Sequence, residues 1–336
     1  MRNDRVRIFV GRHRNILVAY GVMLVVVILF AFNQADFFTR YGPQSIFNQI
    51  ITLCIATLGQ TLIILTAGID LSIGNQIIFL NCVMATIMQP IIDLVGNDGL
   101  GIVLTLAVIL AAGALCGLLN GVLVAYGRLQ PIVVTLATSS IYIGLARYVR
   151  PEPGGEVKSE FARLMTGRVL EYIPMAAIVL LLVIVLVWIP FRNSRSGQAL
   201  YAIGGNETAA YLSGIKINRA KISAYLVAGV CSALCAIMLT AQTRSGDPTA
   251  ANNFTNNSIA AAALGGASLA GGTGSYFGSI AGAVILSLIV GLLVFWQVSS
   301  YYQNLIQGLI LVLALSVNFI VHFVKKRQAA ARAAAK

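Results

Sequence analysis

The chain has 336 residues, of which 58% are apolar and only 10% are charged, and its mean hydropathy is +0.86. Soluble globular domains carry about a quarter charged residues, so this composition excludes an ordinary soluble domain and indicates a membrane protein. The length accommodates about ten membrane-spanning helices but no additional soluble enzyme domain. The net charge of +12 is interpreted as a topology signal, and we expect no nucleic-acid partner.

Nine strongly apolar segments follow one another along the chain, the first of them after a basic head, Met1–Asn15. No small-residue cleavage site follows that segment, so we expect a retained anchor and not a signal peptide. A tenth segment is weaker because it consists almost entirely of Ala and Gly. The strong segments are 16–32, 46–66, 73–92, 100–125, 131–149, 173–190, 221–243, 276–297 and 302–324, and the weak one is 257–273.

The basic residues at the two ends of the chain predict its sidedness. Residues 1–15 and 325–336 are rich in Arg and Lys, which places both termini in the cytoplasm and requires an even number of crossings. We therefore expect the Ala/Gly segment to cross as well, shielded from lipid by other helices. The prediction is an all-α polytopic membrane protein of about ten transmembrane helices, with a transmembrane domain over 16–324, an outer loop at 150–172 and a cytoplasmic loop at 191–221.

Asp70 is the one acidic residue well inside an apolar environment, between the second and third segments. Such a residue is a functional candidate, and Gly68, Ser72 and Gly74 around it predict a break between two helices and a possible gate. Two interpretations stay open: an N-cap of the next helix, and a direct contact with a solute or a gate. The cap interpretation predicts that Asn replaces Asp70 better than Ala does, because Asn still caps.

Small residues recur at helical spacing in the fourth segment, where Gly113, Gly117 and Gly121 form two overlapping GxxxG patterns. Glycine at this spacing lets helix backbones approach closely, within one chain or at a subunit interface. We assign the same helix-packing role to the glycines in and after the weak segment, which are Gly265, Gly266, Gly271, Gly272 and Gly274.

Polar side chains inside the apolar segments mark candidate pore-lining positions. Neutral amides suit an uncharged, hydroxyl-rich solute, because they offer hydrogen bonds without trapping an ion. The alternative is hydrogen bonding between helices. The candidates are Gln60, Asn75, Asn81, Asn304 and Gln307.

The sequence lacks the residue patterns of metal and catalytic sites. Its five cysteines lie inside apolar runs without a CxxC pair, and it has only two histidines, so we expect no metal centre and no disulfide framework. It contains no GxxxxGK[ST] motif, so we expect no ATPase site in this chain.

The loop 191–221 predicts a short helix on the cytoplasmic side. Asn206 is suited to an N-cap, Glu207 complements the helix N-terminus, and Gly214 stands where a glycine would end a helix over 207–213. So short a helix is unstable alone, so something must pack against it. It is either a docking element for a cytoplasmic partner or an incidental surface helix. As a docking element, it would use Ala209 and Ala210 for close approach and the Glu207 carboxylate to bind a basic residue.

Glu207-Thr208-Ala209-Ala210, followed by Gly214-Ile215, resembles the cytoplasmic EAA-type loop of ABC importer permeases. Tyr201 to Asn206, just before it, is similar to the ribose-type (monosaccharide) branch of that family. Three further stretches match that branch in the same order: 66–74, 131–136 and 264–275. The resemblance covers nearly the whole chain.

Two positions depart from the pattern of the branch. Ile132 stands where Phe is usual, and Thr273 stands where a basic residue is often found. Neither departure alters the assignment to a transporter. The resemblance implies that the docking residues for the ATPase are Gly205, Asn206, Glu207, Ala209, Ala210 and Gly214.

The resemblance implies a permease subunit of an ATP-binding-cassette importer that translocates a monosaccharide across the bacterial inner membrane. Its implied partners are an ABC ATPase that binds the ATP, a second permease subunit, identical or related, and a periplasmic or extracellular sugar-binding protein, with membrane lipid around the chain. No cofactor and no enzymatic activity are expected in the chain itself. The alternatives are import of a nucleoside, a branched-chain amino acid or another small solute, and an ion-coupled carrier that only Asp70 could anchor.

Overall fold

The computed structural model of the chain describes residues 2–250, 253–313 and 316, and these residues are mostly helical. A 3-10 turn at Ala35–Phe38 follows α1, a π-helical segment at Val183–Trp188 joins α7 to α8, and 300–313 is also helical. The strands within the described ranges form one hairpin, β1 (Arg168–Val169) and β2 (Ile173–Pro174). The helices are α1 (Arg2–Asn33), α2 (Gly42–Ile64), α3 (Ile73–Val95), α4 (Asp98–Ala125), α5 (Pro131–Val149), α6 (Ser159–Thr166), α7 (Met175–Leu182), α8 (Ile189–Asn193), α9 (Arg195–Gly205), α10 (Glu207–Leu212), α11 (Ile217–Thr243), α12 (Phe254–Leu264) and α13 (Tyr276–Phe295).

Eight helices in the described part of the chain are long and apolar enough to cross a membrane, and they coincide with the first eight strong segments predicted from the sequence. They are Ile16–Asn33, Gly42–Ile64, Ile73–Val95, Asp98–Ala125, Pro131–Val149, Met175–Asn193, Ile217–Thr243 and Tyr276–Phe295. The ninth predicted segment, 302–324, is helical as far as 313, and most of its remainder lies outside the described residues, as does the basic tail 325–336. The chain is therefore an all-α, multi-pass membrane protein.

The weak segment 257–273 is not the continuous helical crossing that we predict from the sequence. Helix α12 has 11 residues, which at 1.5 Å per residue span about 16 Å, or half the hydrocarbon core of a bilayer. The helix stops because Gly266, just beyond it, adopts a left-handed φ of 88°. Ala and Gly make the whole segment apolar, but hydropathy carries no signal for the point where the helix ends.

Contacts between connections show that the chain nevertheless returns across the bundle between α11 and α13. At one end, the α2–α3 turn meets the α12–α13 turn, where the Gly272 N–H donates to Leu65 O at 3.1 Å. At the opposite end, the connection after α5 meets the connection after α11 through a bridge between Gly154 and Gly246. We term the first of these the coupling end, and the basic residues of 191–221 predict that it faces the cytoplasm.

Helix α11 lies at the centre of the molecule, packed against α2, α3, α4 and α9. The predicted glycine stripe of α4 faces it: a Cβ added to Gly113 would clash with Gly229 O, and one added to Gly117 would clash with Tyr225 O. Gly121 packs on the Ile222 backbone less closely, with 3.0 Å between an added Cβ and Ile222 Cα. The stripe is therefore used for close packing within the chain, the first of the two uses predicted.

Among the glycines in and after the weak segment, Gly265 packs between helices, because a Cβ there would clash with the Gly278 backbone of α13. The other four lie in the turn between α12 and α13 and adopt positive φ: Gly266, Gly271, Gly272 and Gly274. The helix-packing role predicted for these four is wrong. They are glycines because the turn needs left-handed backbone and close approach to neighbouring segments.

Candidate functional site

Helix α10 forms within the loop 191–221 as predicted, with both caps in place. Asn206 Oδ1 accepts a hydrogen bond from the Ala209 N–H at 2.9 Å. At the other end Gly214 has a φ of 78°, and the Ile215 N–H donates to Ala210 O at 3.1 Å. This is the closure that a C′ glycine makes, and it ends the helix at Leu212, one residue earlier than predicted.

The carboxylate of Glu207 is engaged within the chain. Lys221 Nζ of α11 donates to both of its oxygens, at 2.8 and 2.9 Å. The predicted role of Glu207, binding a basic residue of a partner, is thereby replaced in this structure by an ion pair that ties α10 to α11. Ala210 is buried against the chain itself, so it is unavailable for close approach of a partner, whereas Ala209 is exposed.

The outward face of α10 is apolar, although the short helix lies at the surface. Tyr211 is 70% exposed and Leu212 is 80% exposed, and Thr208 lies on the same face one turn earlier. We term Thr208, Tyr211 and Leu212 the α10 face. These residues are not among those selected from the sequence, although their spacing of three and four is the signal that identifies them.

Helix α9 reaches two distant turns at the coupling end. Its Tyr201 Oη donates to Gly274 O at 3.2 Å. A Cβ on Gly204 would clash with both Leu65 O and the Gly272 N, which are themselves hydrogen bonded to each other. We term this meeting of α9, the α2–α3 turn and the α12–α13 turn the glycine junction. Gly205, the residue singled out from the sequence, is exposed and has open space where a Cβ would stand.

The two turns of the glycine junction close in the same way. Ala67 and Gly266 both adopt positive φ, 61° and 88°. The next residue in each turn, Gly68 or Ala267, donates its N–H five residues back. The two turns are also alike in sequence, a signal that was missed. Residues 68–74 are Gly-Ile-Asp-Leu-Ser-Ile-Gly and residues 266–272 are Gly-Ala-Ser-Leu-Ala-Gly-Gly, with Gly, Leu and Gly at the first, fourth and seventh positions of both.

Asp70 lies in the α2–α3 turn and is only 2% exposed. Its Oδ1 accepts hydrogen bonds from the Ser72 N–H at 2.7 Å and from the Ser72 hydroxyl at 2.6 Å. Helix α3 begins at Ile73 with Ser72 at the cap position, so Asp70 braces the turn before the helix and is not the N-cap that one of our two interpretations predicts. Burial raises the pKa of the Asp70 carboxyl to about 6.

The surroundings of Asp70 are polar and buried. Asn120 Nδ2 of α4 donates to the Ser72 hydroxyl at 2.9 Å, and Thr135 Oγ1 of α5 accepts from the Leu71 N–H at 3.0 Å. Asn120 Oδ1 is buried without a partner among the described residues, as is the Tyr225 hydroxyl of α11. We term Asp70, Ser72, Asn120 and Thr135 the Asp70 cluster. Thr135 and Tyr225 were not selected from the sequence, because only the fold brings α5 and α11 to this turn.

The other residues predicted around the helix break hold neighbouring segments together. Gly68 is packed between Ile63 and Pro131, at 3.2 and 3.4 Å from where its Cβ would stand. The Gly74 N–H, in the first turn of α3, donates to Thr255 Oγ1 of α12 at 2.9 Å. The break therefore joins α3 to α5 and to α12.

The amides predicted to line a pore mostly make hydrogen bonds between elements in this conformation. The Gln60 carboxamide lies on the Asp70 backbone, oriented so that its nitrogen donates to Asp70 O at 3.1 Å and its oxygen accepts from the Asp70 N–H at 3.2 Å. Asn75 donates to Ser139 of α5, Asn81 donates to Thr240 of α11, and Asn304, which is exposed, accepts from Asn253. Gln307 is half-buried. This is the alternative that the sequence left open, and a pore-lining role for these residues stays a prediction.

A family model described as "Branched-chain amino acid transport system / permease component" matches residues 42–315. Among curated relatives, the ribose import permease protein RbsC of Haemophilus influenzae is 31% identical over 285 residues, which are 83% of this chain and 85% of the relative. The RbsC protein of Escherichia coli strain K12 is 35% identical over 263 residues, which are 77% of this chain and 79% of the relative.

A third relative is named for a different sugar. The D-allose transport system permease protein AlsC of Escherichia coli strain K12 is 30% identical over 260 residues, 77% of each chain. No solved structure matches significantly. The family match extends from α2 to beyond the helical stretch at 300–313, so it includes the Asp70 cluster, α10 and the glycine junction. The chain belongs to the family of branched-chain amino acid transport system permease components.

Proposed function

We propose that the chain is the transmembrane permease subunit of an ABC importer that translocates a monosaccharide across the inner membrane of a bacterium. The names of its relatives, permeases for ribose and for D-allose, support the solute class. The observation that carries the transporter assignment is α10, a capped helix on the coupling end whose α10 face is apolar and exposed. A helix of six residues is not stable alone in water, and an exposed apolar face on a soluble loop indicates a protein partner.

The partner that fits the α10 face is a separate cytoplasmic ATPase. The chain contains no phosphate-binding GxxxxGK[ST] loop, so in this proposal the partner binds the ATP and supplies the energy for transport. A second permease subunit completes the translocation pathway. A soluble sugar-binding protein delivers the solute at the opposite end, beside the outer loop 150–172.

Two contacts transmit movement of the docked loop to the membrane helices. The first is the ion pair of Glu207 with Lys221, which pulls on α11 and through it on α2, α3 and α4. The second is the glycine junction, through which α9 displaces the α2–α3 turn that carries Asp70. Both contacts start in the loop 191–221, so one movement of the ATPase acts on the centre of the bundle and on the helix break together.

The Asp70 cluster supplies the groups that suit an uncharged, hydroxyl-rich solute. It is buried in this conformation, and its Asn120 Oδ1 has no partner among the described residues. Movement of α3 and α11 would expose these amides and hydroxyls to the pathway. A zwitterionic amino acid would need a cation for its carboxylate, and the cluster contains neither Lys nor Arg.

The proposal is tested by transport in vesicles that contain the complex purified from its native cells. Uptake of radiolabelled ribose, allose, galactose and leucine would be measured with the binding protein outside and ATP on the ATPase side. We expect ATP-dependent uptake of one of the sugars that excess leucine does not inhibit. Uptake that persists without ATP would favour the ion-coupled carrier, and uptake of leucine would overturn the sugar assignment.

A further inference from the structure

A groove of about 1140 Å³ opens at the coupling end, between the α4–α5 turn and the segment that joins α10 to α11. Arg128, Lys216, Arg219 and Lys221 line it, against one carboxylate, that of Glu207. Lys221 already pairs with Glu207, and the other three cations have no ion pair within the described residues. The groove therefore holds three uncompensated positive charges.

One wall of the groove is apolar. Val124, which is buried, and Leu129, which is exposed, line it at the end of α4 and in the α4–α5 turn. Beside them Tyr126, Ile132 and Val133 are exposed on the same turn and on the first turn of α5. Both helices are membrane spans, so these side chains lie where the spans leave the hydrocarbon, the depth that tyrosine prefers.

We propose that this groove binds the headgroup of an anionic phospholipid of the cytoplasmic leaflet. The phosphate would bind Arg128 and Arg219, whose guanidinium groups match its geometry with paired hydrogen bonds. The acyl chains would lie along the exposed apolar side chains of α5. An acidic protein segment would satisfy the cations but leave the apolar wall uncovered, whereas a phospholipid covers both.

This site goes beyond the transport of a solute, because it makes lipid a ligand of the loop 191–221. Glu207 and Tyr211 of α10 line the same groove as the cations. A lipid seated there would contact the ion pair that ties α10 to α11. The inference does not depend on the identity of the solute, so the lipid-binding test can fail while the transport test succeeds, and the reverse.

The test uses the full chain purified in detergent, with dioleoyl phosphatidylglycerol as the probe and phosphatidylcholine as the neutral comparison. Bound lipid per chain is counted by native mass spectrometry. We expect the variant R128Q/R219Q to bind phosphatidylglycerol at least about tenfold more weakly, because each basic residue near the surface contributes about 1 kcal/mol. The variant R128K/R219K keeps the charge and should lose less.

The control variant is R192Q/R195Q, which removes two exposed cations of the same loop that do not line the groove. We expect it to bind phosphatidylglycerol as the wild type does. Equal binding by wild type and R128Q/R219Q would overturn the proposal, as would an equal loss in the control, which would indicate non-specific charge. Competition by inorganic phosphate at the lipid's own concentration would also overturn it, because the site would then recognise a free anion. Loss of a co-purifying protein from R128Q/R219Q with lipid binding unchanged would assign the groove to a protein partner.

Discussion

The ion pair between Glu207 and Lys221 joins α10 to α11 at a partly shielded position, since the Lys221 side chain is 16% exposed. Reversing one charge with Glu207→Lys places two ammonium groups together and should detach α10 from α11. We expect ATP-driven uptake in vesicles to fall by roughly tenfold, because this factor corresponds to the interaction energy of two residues in direct contact. The double variant Glu207→Lys/Lys221→Glu restores an attractive pair and should recover part of the uptake. Uptake as low in the double variant as in the single one would instead indicate that Glu207 acts on the ATPase directly.

The Asp70 carboxyl makes the stability of the α2–α3 turn depend on pH. Its pKa in the fold is raised to about 6 by burial, so ionisation weakens the folded state. The stability that this group contributes is therefore complete below about pH 4 and is lost as the pH rises through 6. Asp70→Asn cannot ionise and keeps an acceptor for the Ser72 N–H. We expect the melting temperature of this variant to rise relative to that of the wild type between pH 4.5 and 7.

The measurement for Asp70 is thermal unfolding of the detergent-purified chain across that pH range. Parallel curves for wild type and Asp70→Asn would show that another group dominates. Asp70→Ala serves as the comparison, because it leaves the buried Ser72 N–H and hydroxyl without their acceptor. That loss should cost about 1–3 kcal/mol at every pH.

At the scale of elements, the glycine junction offers a matched pair of adjacent glycines. A methyl group on Gly204 would clash with Leu65 O and the Gly272 N, whereas one on Gly205 would meet open space. We expect Gly204→Ala to separate α9 from the two turns and to lower ATP-driven uptake, and Gly205→Ala to leave uptake within about twofold of the wild type. Membrane insertion, which is measured by the yield of purified chain, should be similar for both variants. Equal uptake by the two variants would show that the glycine junction does not transmit the movement of the loop.

The elements that could be predicted are those whose signal is local. Long apolar runs identified the spans, and Asn206 and Gly214 identified both ends of α10, because caps act over a few residues. Helix α12 could not be delimited from hydropathy, since apolar residues continue past its end at Leu264, although the pair Gly265-Gly266 that follows is a local stop signal. The glycine junction and the Lys221 partner of Glu207 were missed for another reason. They join segments far apart in the sequence, and only packing brings those together.

At the scale of the whole molecule, the coupling end carries two exposed surfaces, the α10 face and the basic groove, which share Thr208 and Tyr211. The α10 face combines exposure with apolar side chains on a helix that is capped at both ends, so it is the surface on which the ATPase should depend. Leu212→Asp places a charge in that contact, and we expect it to abolish recovery of the ATPase with the tagged chain while the chain still inserts. Leu170→Asp is the matched control, because Leu170 is equally exposed on the opposite end, at the β1–β2 hairpin. Recovery of the ATPase with Leu212→Asp at the level of the control would mean that docking rests on α9 or the groove, and the force would then enter through the glycine junction rather than through α11.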